Sequence, residues 1–249
     1  MPRAHFSILA LTLGIALAPT LAHAQSPAVT FFTSNPQLSY AEDSASDFNA
    51  ASYNLGWEFQ VNAPTAVTAL GFFTDPTLGL KEGHAVGLYQ VVPGVGALPE
   101  SGLLLVSGTV PTIAASNVAA KDFTYTSVSK TFLTPGVNYV ISGVTGAADP
   151  FVYDVQVNNL NNLATPLPGL SFDSNIQYEG DRIGQGSSLT SYPSGSDSAN
   201  GVDPGYFGPN FQSQPVPETS SVVSLGVLLM LGLGCLGATR RVRIHDKAR

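Results

Sequence analysis

From Leu55 to Val61 the chain alternates without a break. Leu55, Trp57, Phe59 and Val61 share one side, while Gly56, Glu58 and Gln60 share the other. A period of two predicts a strand with one side on a core and the other in water. Pro64 ends it, and Val67–Phe73 is apolar on both sides, as in a strand buried between two layers. Ala85–Val92 and Leu103–Val110 follow, set off by Asp75-Pro76, Pro93-Gly94 and Pro111. Phe123–Val128, Lys130–Leu133, Asn138–Val144 and Phe151–Val157 continue the series, with Pro135-Gly136 as a turn. Val29–Phe32 precedes these strands, and shorter candidates lie at Ile176–Glu179, Leu189–Tyr192 and Tyr206–Phe211. Ala41–Ser52 reads as a loop or one short helix, and Ser194–Gly205 as a long solvated loop.

Many short strands, frequent turn signals and almost no helical periodicity predict an all-β domain, an antiparallel β-sandwich. A jelly-roll variant is equally compatible. No repeat of fixed period is present, which argues against a propeller or β-solenoid.

Both ends of the chain carry a different pattern. Arg3, the apolar run Phe6–Leu17 and Ala22-His23-Ala24 have the order of a secretory signal peptide, with cleavage expected between Ala24 and Gln25. At the other end, Ser220–Ala238 is nineteen residues without a charge. As a helix it spans about 28 Å, close to a bilayer core. Arg240, Arg241 and Arg243 follow and hold that end on the cytoplasmic side. The chain thus divides into a signal peptide (1–24), a β-sandwich passenger (25–212), a linker (213–219), a transmembrane helix (220–238) and a basic tail (239–249).

Removing the ends changes the charge picture. Between Gln25 and Thr219 four basic residues (Lys81, Lys121, Lys130 and Arg182) stand against sixteen acidic ones. Such a surface repels nucleic acid, so no nucleic-acid partner is expected. It leaves calcium as the one cation to consider, with no other cofactor expected. Cys235 is the only cysteine and lies inside the transmembrane run, so the passenger has no disulfide staples.

Val216-Pro217-Glu218, the uncharged Gly-rich run and Arg240-Arg241 together resemble the PEP-CTERM sorting signal of exported Gram-negative proteins. Thr219 stands where that motif has a second proline. The resemblance implies handling by secretion machinery and signal peptidase, then by a membrane transpeptidase, exosortase. It also implies passage through an inner-membrane intermediate to the cell surface or medium, and an association with exopolysaccharide and biofilm. A plain single-pass membrane anchor is the alternative. A second resemblance covers Tyr53–Asp154. Leu70-Gly71-Phe72-Phe73, Gly83-His84-Ala85-Val86-Gly87-Leu88-Tyr89, Gly102-Leu103-Leu104, Ser107-Gly108-Thr109 and Pro135–Ile141 are similar to a β-sandwich domain of unknown function in bacterial surface proteins. It implies a fold and brings no catalytic residues.

Little in the passenger carries chemistry. His84 is its only histidine, and it reads as a structural residue hydrogen-bonded at a strand end rather than a base or metal ligand. No nucleophile elbow, metalloprotease motif or phosphate loop is present. A secreted carbohydrate-active enzyme would need two spaced carboxylates, drawn from Glu58, Glu82, Glu100, Asp154 and Glu179. Trp57 lies in the apolar phase of its strand and reads as core. Tyr178 and Tyr192, read as loop tyrosines, are the candidates for stacking on sugar rings. The expectation is an exported, non-catalytic surface or matrix protein.

Overall fold

A computed structural model describes residues 24–31, 53–74, 78–97, 99–118, 122–146, 148–149, 170–196 and 206–216. Eleven strands lie within them. They are β1 (Ser26–Pro27), β2 (Val29–Phe31), β3 (Tyr53–Val61), β4 (Thr65–Thr74), β5 (His84–Val92), β6 (Ser101–Val110), β7 (Asp122–Leu133), β8 (Tyr139–Val144), β9 (Leu170–Phe172), β10 (Ile176–Gln185) and β11 (Pro209–Pro215). All pairings are antiparallel. One sheet has the order β1-β11-β4-β7, a second β10-β3-β8-β5-β6, and β2 with β9 makes a small third. The all-β expectation holds.

The main core lies between the two large sheets because each presents an apolar side at a period of two. Leu55, Trp57, Phe59, Val86, Leu88 and Ile141 meet Val67, Leu70, Phe72 and Phe211 there, all essentially buried. Trp57 stacks on Phe211 with centroids 6.0 Å apart, and its Nε1 donates to the Pro209 carbonyl at 3.0 Å. The indole therefore buries its ring and satisfies its one polar atom together. The reading of Trp57 as core holds, and so does Val67–Phe73 as a strand buried on both sides.

Several elements differ from the sequence reading. Phe123–Val128 and Lys130–Leu133 are one strand, β7. Its pairing with β4 steps from Val67↔Thr131 to Ala69↔Ser127, so the apparent break in the sequence is a bulge. The candidate at Ile176 extends to Gln185. The last candidate starts at Pro209 and runs to Pro215, three residues past Gln212 and into the segment read as linker. Leu189–Tyr192 is not a strand: Leu189 and Tyr192 pack from a loop onto the outside of the larger sheet. Ala41–Ser52, Phe151–Val157, the signal run Phe6–Leu17, the segment Ser220–Ala238 and the basic tail lie outside the described residues.

The largest departure concerns β3. The alternation assigns its polar side to water, yet the strand is buried on both faces, with Glu58 only 6% exposed. The reason is what lies across it.

Candidate functional site

Residues Gly186–Ser196 leave β10 and run as a strap over the outer face of the five-stranded sheet. Tyr89 donates its hydroxyl to the Leu189 carbonyl at 2.5 Å, and Asn54 Nδ2 donates to the Ser191 carbonyl at 2.8 Å. The Ile183 and Gly195 backbones pair in both directions, and Ser196 Oγ donates to Asp181 Oδ1 at 2.7 Å. Glycines permit the close fit. A Cβ on Gly102 would strike the Tyr192 ring, and one on Gly184 would meet the Pro193 backbone. Polar side chains thus hold a Ser/Gly-rich segment that hydrophobicity alone would not.

Arg182 is the centre of this arrangement. It pairs across β10–β3 with Gly56, beside Glu58. Its Nε donates to Glu58 Oε2 at 2.8 Å and Nη2 to the same oxygen, while Nη1 reaches Glu100 Oε1 at 3.1 Å. Asn138 Nδ2 donates to the second Glu58 oxygen, and Gln60 Nε2 donates to Asn138 Oδ1 at 2.8 Å. Tyr192 donates its hydroxyl to Glu100 Oε1 at 2.9 Å. Burial, reinforced by that hydrogen bond to Glu100, raises the Tyr192 hydroxyl well above the ordinary tyrosine range. Burial likewise raises Tyr89.

The carboxylates proposed for glycosidic chemistry are spread out. Glu58 and Glu100 do come together, but Arg182 bridges them and takes an oxygen of each. A hydrolytic pair instead flanks the scissile bond, one carboxyl protonated and one free. Glu179 accepts from Gln177 Nε2 at 2.6 Å on β10, and Asp154 lies outside the described residues.

The two tyrosines considered for sugar stacking are also separated. Tyr178 is in β10 rather than a loop, because the strand extends past it. Its ring stacks on Phe172 (5.5 Å) and tilts against Phe207 (5.7 Å) at the margin of the main core. Tyr192 is in a loop on the outer face, against Tyr89 at 5.7 Å.

A second cluster forms where β5 begins. His84 is 1% exposed, and its ring lies flat on Phe72, centroids 3.8 Å apart. Its Nδ1 is 3.1 Å from the Val144 carbonyl and its Nε2 is 3.0 Å from Asp149 Oδ2. The Lys81 and Glu82 amides donate to the Asp149 carboxylate at 2.8–3.0 Å, and Ala148 N donates to Glu82 Oε1 at 2.8 Å. His84 sits at a strand end and is hydrogen-bonded, as read. Asp149, its partner sixty-five positions away, is not singled out by the sequence, and no local spacing signals it.

Gln25 and Val216, the described residues next to the two expected cleavage positions, lie at the β1–β11 end of the four-stranded sheet. Ser26 opens β1 opposite Ser213 of β11, and the Gln25 side chain donates to Thr68 Oγ1 at 2.9 Å. At the other end Val216 N donates to the Pro64 carbonyl at 3.1 Å. Pro217, Glu218, Arg240 and Arg241 lie outside the described residues. Among the described residues no helix is long and apolar enough to cross a membrane. No family model, curated protein or solved structure matches this chain.

Proposed function

We propose that this chain is an exported, non-catalytic protein of the cell surface or extracellular matrix, sorted by its C-terminal segment and associated with exopolysaccharide. The observation that carries the reading is the order of the tail: Val216-Pro217-Glu218, nineteen uncharged residues, then Arg240 and Arg241. The fold supports it at both ends. Gln25 lies one residue before β1 and Pro217 two residues after β11, so both cuts would fall just outside the paired strands. Because β1 and β11 are antiparallel neighbours, the two ends leave the domain on the same side.

The strand order supports the jelly-roll form of the passenger. β1 pairs with β11, β3 with β8, β4 with β7 and β5 with β6, the nested pairs of one long hairpin rolled into two sheets. A non-catalytic role is supported by Arg182, whose bonds to Glu58 and Glu100 use them as anchors for the strap.

The test is fractionation of the producing bacterium carrying the wild-type chain or Glu218→Ala, with binding of the released protein to the producer's own exopolysaccharide. Release that falls in Glu218→Ala, with saturable polysaccharide binding by the wild type, supports the proposal. Identical membrane retention of both forms points instead to a permanent anchor. Hydrolysis of the polysaccharide, abolished by Glu58→Gln or Glu100→Gln, would make the protein an enzyme.

A further inference from the structure

The His84 cluster brings a buried imidazole nitrogen and two carboxylates to one place. A carbonyl oxygen only accepts, so the contact to Val144 requires Nδ1 to carry a proton. In a neutral ring Nε2 is then a bare lone pair, and it faces a carboxylate oxygen 3.0 Å away. Something positive belongs between them. A proton on Nε2 would pair His84 with Asp149, but Glu82 brings a second carboxylate to the same place. One ligand atom from each of Glu82, His84 and Asp149 lies within 4.8 Å of the other two. Two carboxylates and an imidazole converging in this way are a donor set for one divalent cation.

From this geometry we infer that Glu82, His84 and Asp149 form a binding site for a borderline divalent cation such as zinc. The donor set is one nitrogen and two carboxylate oxygens. Calcium prefers six to eight oxygens and does not use imidazole. Zinc accepts nitrogen with carboxylate oxygen at about 2.0–2.2 Å, which places tetrahedral ligands a little over 3 Å apart. The three groups therefore close on the ion through a shift of about an ångström or less. The outer shell is already built. Val144 fixes the ring tautomer, and the Lys81 and Glu82 amides aim the Asp149 carboxylate. His84 and Asp149 are buried while Glu82 is only partly so, and the ion would enter past Glu82 and keep a water as fourth ligand.

The ion would tie the start of β5 to the segment that leaves β8. It would act as a staple in a passenger that has no cysteine for a disulfide.

The test is zinc titration of the metal-stripped full-length chain, free of any histidine tag, against a competing chromophoric chelator, for the wild type, His84→Ala and Glu82→Gln. Thermal unfolding with and without zinc accompanies it. His84→Ala removes a buried ring and risks the fold. Glu82→Gln keeps the acceptor for Ala148 N, and with chelator present it melts with the wild type. The wild type is expected to bind one more zinc than His84→Ala. With zinc about 100-fold above Kd its Tm rises by about 5 °C or more. Glu82→Gln is expected to weaken that site by roughly tenfold or more and so to lose about half of the rise or more. A wild type with no zinc-dependent rise, or a Glu82→Gln that keeps its full affinity and rise, overturns the inference.

Discussion

The two faces of β3 are both buried, but by opposite means. On one, Leu55, Trp57, Phe59 and Val61 enter a core of aromatic and branched residues. On the other, Asn54, Gly56 and Glu58 lie beneath a strap fastened by hydrogen bonds and by Arg182. The first face is held by area removed from water, which is non-directional and roughly additive. The second depends on pairing that fails as a unit when one member is removed. Burial alone therefore does not reveal what holds a surface shut.

Substitutions on the two faces separate these modes. Trp57→Ala is the largest expected loss, about 4 kcal/mol from the cavity and the unpaired Pro209 carbonyl. Urea unfolding followed by circular dichroism measures it, and the loss is expected to change little with salt. Glu58→Ala follows at about 3 kcal/mol, because it leaves the half-buried Arg182 with only Glu100 and the Ser194 carbonyl and orphans Asn138 Nδ2. Here the strap should loosen before the core unfolds, seen as faster amide exchange over Gly186–Ser196 than over β4. Equal exchange increases in both regions would mean that the strap is part of the core's cooperative unit.

The smallest effect is expected from alkaline titration. Tyr89 and Tyr192 both have hydroxyls raised by burial, so the folded protein keeps their protons where the unfolded chain releases them. Their contribution is complete below the unfolded tyrosine value of about 10 and is lost as pH rises through the higher folded values. Stability should fall with pH above about 10, and less steeply in Tyr192→Phe. Chemical unfolding at several alkaline pH values reads the slope. An identical slope in Tyr192→Phe would show that Tyr192 does not share in it.

Local patterns are legible in the sequence and distant pairings are not. The alternation of Leu55–Val61 locates β3 and puts Trp57 in the core because side chains along a strand change face at every residue. The same alternation assigns Glu58 to water. Its cover is Arg182, 124 residues away on β10, and the Ser/Gly-rich loop that follows that strand, and nothing in either segment names the other. The bulge in β7 looks like a chain break because a bulge interrupts the period that identifies a strand. His84 reads as a residue at a strand end, but the carboxylate opposite it comes from a segment whose position only the fold determines. Tyr178 falls in the short candidate Ile176–Glu179, but the polar run Glu179-Gly180-Asp181-Arg182 hides the extension of that strand to Gln185, whose outer side is itself covered by the strap.

The proposal of export and sorting rests on the ends of the chain, and the most direct measurement is intact mass with terminal sequencing of the protein recovered from the producing cells. The expected result is a mature chain that starts at Gln25 and ends near Pro217-Glu218, found at the surface or in the medium. A chain in the cytoplasm that still begins at Met1 and ends at Arg249 would contradict it.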